Sequence, residues 1–272
     1  MTDFLNKVYE EIDEQHRDQP AATRRQVVAG AAATLGAMGM LTVADRAAAQ
    51  DNTPGNTDNP NTVENIINIA ATAEVLATIV NTVGFETVQL DPTTKANIAA
   101  AARHEVIHYD VLTSDAVGAK ELTKRIWVPD AVFSNAENFL KTLVVGDQIF
   151  VNAYLLGGTV FARAGGLRGS RFARFAAEFM GVESVHRALA LQSLGRLGND
   201  RTFAKFAQRE EVPGLLTSGQ GGFYRITEAV DLLKAAGFGF GEQGSAAGKF
   251  YEFDEVRRRT PDPQQVNTRT PS

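Results

Sequence analysis

Two short stretches place a carboxylate and an imidazole three residues apart in apolar surroundings. "ARHEVIHYD" carries Glu105 and His108, and "GVESVHRAL" carries Glu183 and His186. On a helix this spacing puts both side chains on one face, about one turn apart. Two further acids, Glu74 and Asp147, interrupt other apolar stripes. A lone carboxylate enclosed in a core costs several kcal/mol unless it is neutralised or paired. Four of them facing one centre would repel each other, and two divalent cations would remove the conflict. Single acids from two helices plus a Glu-x-x-His pair from each of two others make a dinuclear site in a known class of four-helix bundle. Such oxygen and imidazole donors suit iron or manganese. The candidate metal ligands are therefore Glu74, Glu105, His108, Asp147, Glu183 and His186. One pair alone is a weak sign, since Asp13 and His16 share the spacing. The weight lies in two pairs and two single acids in the right helix order. The open alternative is a metal-free bundle in which the pairs are internal hydrogen bonds.

Four long helices must position these groups. Thr62 is a plausible N-cap for residues 63–83, whose apolar positions Ile66, Ile67, Ala70, Ala73, Ala77 and Val80 recur near helical period, with Gly84 as a stop. Asp91 and Pro92 open a second helix over 92–113, with Ile98, Ala101, Glu105, His108 and Leu112 on one face. "RIWVPDAVFS" reads as a loop packed down by Trp127 and Phe133. Ser134 or Asn135 then caps a third helix to about Arg163, with the stripe Leu140, Val144, Asp147, Val151 and Tyr154. "AGGLRGS" (164–170) reads as a turn, and the fourth helix runs from about 171 to 195. Its stripe is Ala176, Met180, Glu183, His186 and Ala190, and Gly195 ends it. Off these stripes, His104 reads as a rim residue. Tyr109 and Tyr154 read as core aromatics with hydrogen-bonded hydroxyls, or as neighbours of the metals. Arginines between 163 and 174 read as a solvated turn.

The rest is weaker in signal. "TFAKFAQREE" and "YRITEAVDLLKAAG" look like short helices. The glycine-rich "GFGFGEQGSAAGKF" lacks a preceding strand and is not read as a phosphate loop. The tail 257–272 is polar and expected to be disordered. Strand-like alternation is almost absent, so the fold class is all-α, a four-helix bundle with short C-terminal helices. The expected organisation is a leader over 1–49, a polar linker over 50–61, the bundle over 62–195, a helical extension over 196–256 and the tail.

Composition narrows the function classes. The 272 residues include no cysteine, which excludes disulfides, thiolate metal sites and cysteine nucleophiles. A net charge of −5 argues against a nucleic-acid partner. Arg24 and Arg25 precede the weakly hydrophobic "VVAGAAATLGAMGMLTVA", and Ala47 and Ala49 form an A-x-A cleavage site. Basic pair, apolar run and small-residue site stand in the order of a secretory signal and resemble a twin-arginine export signal. The expected partner is then the twin-arginine export machinery, the expected location is the periplasm or cell envelope, and no stable membrane anchor remains after cleavage.

From about 62 to 195 the chain resembles a ferritin-like domain, and within that class the exported, desiccation-related group of bacterial proteins. The resemblance rests on "NIINIAATAEVLAT" with Glu74, "ARHEVIHYD" with Glu105 and His108, "VVGDQIFVNAYLLG" with Asp147 and Tyr154, and "MGVESVHRALAL" with Glu183 and His186. "WVPDAVFSNAENFL" also resembles that group's connection before the third helix. The resemblance implies a dinuclear iron or manganese site and chemistry with oxygen or peroxide: ferroxidase-like, peroxide-consuming or catalase-like. It equally implies a non-enzymatic envelope protein tied to desiccation tolerance. A storage cage fits less well, given the long leader and C-terminal extension, and a homo-oligomer stays open. The third helix usually supplies Glu where this chain has Asp147. One methylene fewer puts full occupancy of both metal positions in question.

Overall fold

Three of the four long helices start on a side chain that satisfies their free N–H groups. In the computed structural model, which describes residues 60–200, 225–267 and 269, the Thr62 hydroxyl accepts from Asn65 N–H and opens α1, Val63–Thr87. The Asp91 carboxylate accepts from Thr93 and Thr94 N–H, and Pro92 takes the first position of α2, Pro92–Thr113. The Asn135 side-chain Oδ1 accepts from Asn138 N–H ahead of α3, Ala136–Ala164. These caps are worth about 1 kcal/mol each. The fourth long helix, α4, spans Gly166–Ser193.

The four long helices pack together. α1 lies against α2 and α3, α3 pairs most extensively with α4, and α2 meets α4. α1 is apolar nearly all round and is buried almost without interruption from Ile66 to Gly84, which makes it the central helix. The expected turn over 164–170 shrinks to one residue. Gly165 has φ of 71°, which only glycine adopts cheaply, and α4 begins immediately after it. A Cβ on Gly169 would lie 2.5 Å from the Phe161 carbonyl oxygen, so a glycine is required where the hairpin closes. Gly84 does not stop α1, which runs on to Thr87. It makes room for the buried Phe139 ring, whose nearest atom would lie 2.1 Å from an added Cβ. Gly195 does close α4. With φ of 70° it lets Arg196 N–H reach the Leu191 carbonyl at 2.9 Å.

The stretch expected as a loop holds β1, Arg125–Pro129, followed by a 3-10 turn, Asp130–Phe133. The part of the C-terminal extension that is described is mixed rather than helical. It contains α5, Thr227–Ala235, β2, Gly239–Phe240, β3, Gly248–Glu252, and α6, Phe253–Arg257. The three strands form a small antiparallel sheet in the order β2-β1-β3, with Ile126 opposite Phe240 on one side and Tyr251 on the other. Ile126 and Val128 turn inward and are fully buried against the bundle. The Trp127 indole N–H donates to the Ala246 carbonyl at 2.9 Å and pins the glycine-rich loop.

The tail expected to be disordered is held down through Asn267. Its polar groups find partners on the bundle instead of an apolar core. Arg257 pairs with Asp110, Arg259 with Glu86, and Arg103 donates to the carbonyls of Thr260 and Pro261. Thr260 and Val266 are buried. The expected leader, the linker up to residue 59 and the helix over "TFAKFAQREE" lie outside the described residues.

Candidate metal centre

The helix packing brings all six sequence-selected groups into one buried cluster. Glu74 comes from α1, Glu105 and His108 from α2, Asp147 from α3, and Glu183 and His186 from α4. The three glutamates are 0 % exposed, Asp147 5 %, His108 4 % and His186 9 %. Small neighbours on the same faces (Ala71, Ala77, Thr78, Ala101, Ala102) let the helices approach closely around them.

The geometry within the cluster is paired. Glu105 directs Oε2 at His108 Nδ1, 3.6 Å away, and Oε1 at His186 Nδ1, 3.2 Å away. Glu183 does the same in mirror sense, with Oε1 3.2 Å from His108 Nδ1 and Oε2 3.4 Å from His186 Nδ1. Each of these two carboxylates therefore spans both imidazoles. The remaining acids sit at opposite ends. Glu74 Oε2 lies 3.6 Å from His108 Nδ1. Asp147 groups with Glu183 and His186. Ligand atoms of Glu74, Glu105, His108 and Glu183 all lie within 4.8 Å of one another, as do those of Asp147, Glu183 and His186.

Most of these atoms have no hydrogen-bond partner. Glu74 Oε2, Glu105 Oε2, Asp147 Oδ2, both Glu183 oxygens and both Nδ1 atoms are buried and unsatisfied. Buried polar atoms are rarely left so. Seven of them facing one centre form a set of oxygen and imidazole nitrogen ligands that could hold a metal ion. The residues present thus offer two groups of candidate metal ligands, Glu74, Glu105, His108 and Glu183 at one end and Asp147, Glu183 and His186 at the other, with Glu105 Oε1 also close to His186.

Electrostatics in the protein without metal show the same conflict. Burial raises the Glu74 carboxyl from 4.5 to about 8, with His108 opposing and Glu105 and Glu183 adding to the shift. Burial, then the neighbouring Glu183, lifts Asp147 well above the ordinary range. Burial would lower His108 and His186, but the acids around them outweigh it and hold both well above the usual imidazole value. Burial would raise Glu105 too, yet His186 and His108 outweigh it and hold it below its ordinary value.

The surroundings orient the six groups. Tyr154 donates its hydroxyl to Glu74 Oε1. Asn81 Nδ2 lies 3.4 Å from Glu105 Oε1. His108 stacks on Phe179 at 4.1 Å between centroids, which keeps water from that side. His104, read as a rim residue, is half-buried and lies edge to edge with His186: its Nδ1 is 3.0 Å from His186 Nε2 and the two ring planes are 9° apart. If His186 Nε2–H donates to His104, the Nδ1 lone pair of His186 is left facing Glu105 and Glu183, as ligation requires. Spacing on α2 alone could not reveal this, because the partner is 82 residues away. The Arg187 guanidinium, beside His186, is buried and bidentate to Asp200 at 2.7 and 2.8 Å.

No family model, curated protein or solved structure gives a significant match to this chain. What the site can do is read from its own geometry.

Proposed function

We propose that this chain is an exported protein of ferritin-like architecture whose core holds two divalent iron or manganese ions and uses them with dioxygen or peroxide in stress protection. The observation that carries the reading is the double span of Glu105 and Glu183, each aiming one oxygen at each imidazole. Iron or manganese held by these residues would supply electrons to dioxygen or peroxide. The chain's own residues do the rest. Glu74 and Asp147 close the two ends, His104 sets the tautomer of His186, and Phe179 excludes water beside His108. The leader over 1–49, with Arg24 and Arg25, supports export by a route that carries folded, metal-loaded protein.

The test is elemental analysis of protein matured in its native host, comparing wild type with Glu183→Ala. The expected result is about two metal atoms per chain in the wild type and at most one in the variant. An unchanged metal content would remove Glu183 from the site. One observation favours a second reading, a metal-free envelope protein. Protons on Glu74 and Asp147 neutralise part of the acid excess, so the cluster could close as a proton-sharing network. Negligible metal and no turnover of peroxide in native protein would favour it.

A further inference from the structure

Two cavities with mainly apolar walls reach the cluster, and they differ in size. The larger, about 40 Å³, lies between α1, α3 and the C-terminal extension. Its walls are Leu76 and Val80 of α1, Ile149 and Phe150 of α3, and Leu233 and Phe238, which cover it from outside. Its inner end is Asp147 and Asn81. The smaller, about 20 Å³, is lined mainly by apolar side chains such as Ile98, Leu140 and Leu189, with Thr94, Asp147 and His186 among its polar groups. Two buried atoms at the shared end, Asn81 Oδ1 and Asp147 Oδ2, have no hydrogen-bond partner.

We propose that the larger cavity is a binding chamber for a small uncharged apolar molecule of dioxygen's size, delivered to the Asp147 end of the cluster. The role as a reactant site rests on the metal reading above. A volume of 40 Å³ exceeds the roughly 10–15 Å³ that admits a single water-sized molecule. Its walls offer hydrated ions nothing in exchange for their water. Peroxide, which must keep several hydrogen bonds, fits the apolar walls worse than dioxygen. Gly146, next to Asp147 on α3, lines the chamber, and a Cβ there would meet nothing within 4 Å. Glycine inside a helix weakens it, and at this position it leaves the chamber open. Val145 and Gly146 are only partly buried, so the chamber approaches solvent beside α3.

The probe is xenon, which occupies dry apolar cavities. Crystals of the full-length, metal-loaded protein pressurised with xenon are expected to show it in the chamber. Gly146→Leu should abolish that xenon peak, leave metal content unchanged, and slow dioxygen consumption by anaerobically Fe²⁺-loaded protein at least tenfold. Leu233→Ala, which widens the outer wall, should raise xenon occupancy about twofold and keeps the test decisive if the leucine variant does not fold. No xenon in the wild-type chamber, no change in occupancy on Leu233→Ala, or a dioxygen rate indifferent to Gly146→Leu would each overturn the proposal. Metal without xenon would sink the chamber alone. Xenon without metal would sink the metal reading and the reactant role with it.

Discussion

Glu74→Gln separates the metal reading from the metal-free one by the sign of its effect. In the metal-free protein Glu74 keeps its proton to about pH 8, against 4.5 ordinarily. A group with a raised folded-state pKa contributes stability that is complete below its unfolded value and is lost as pH rises toward the folded value. At pH 7 the unfolded chain releases this proton and the folded chain does not. Two and a half pH steps at about 1.4 kcal/mol each cost the wild type about 3 kcal/mol, rising to a ceiling of about 5 kcal/mol above pH 8. Glutamine mimics the protonated acid, can still accept from Tyr154, and does not titrate. The metal-free variant is therefore expected to match the wild type near pH 4 and to exceed it by about 3 kcal/mol at pH 7. For a unit of this size that is a rise of about 6–12 °C in melting temperature. With metal the sign reverses, because the variant lacks one ligand and gains less from binding. Thermal unfolding followed by circular dichroism, with and without chelator at pH 4, 7 and 9, measures all of this. A metal-free variant that melts below the wild type at pH 7 would refute the reasoning. Glu74 would then be a favourable ionised partner of His108, and no cation would be needed.

Two other perturbations test the surroundings. His104→Leu removes the partner of His186 Nε2 and should weaken metal binding about 10–100-fold without changing the fold. Competition against a chromophoric chelator reads this, and unchanged affinity would make the histidine pair merely structural. Gly84→Ala pushes a Cβ into the Phe139 ring. Overpacking of about 1–3 kcal/mol should outweigh the roughly 1 kcal/mol helix-propensity gain. Urea titration should show a loss, and Phe139→Leu in the same chain should restore part of it.

Much of the bundle was legible because its signals are local. Thr62, Asp91 with Pro92, and Asn135 are cap residues whose effect reaches only three positions, and each caps the helix it precedes. The site was legible because carboxylates are costly in apolar stripes, whatever the tertiary detail. What stayed hidden depends on distant partners. β2 is two residues long and pairs with β1 more than a hundred positions earlier, so no alternation could announce it. Gly84 looks like a helix stop until Phe139 is seen against it. His104 lies off the α2 stripe and gains its role only from α4. The tail looked unable to fold because it has few apolar residues, yet Asp110, Glu86 and Arg103 supply polar anchors that composition does not count.

The most direct measurement is anomalous X-ray diffraction from crystals of protein purified from its native host, with data on both sides of the iron and manganese absorption edges. The expected result is two peaks between the Glu105 and Glu183 carboxylates, one beside His108 and Glu74 and a weaker one beside His186 and Asp147. A well-ordered core with no anomalous signal, in which Glu105 and Glu183 are hydrogen-bonded to the two imidazoles, would contradict it.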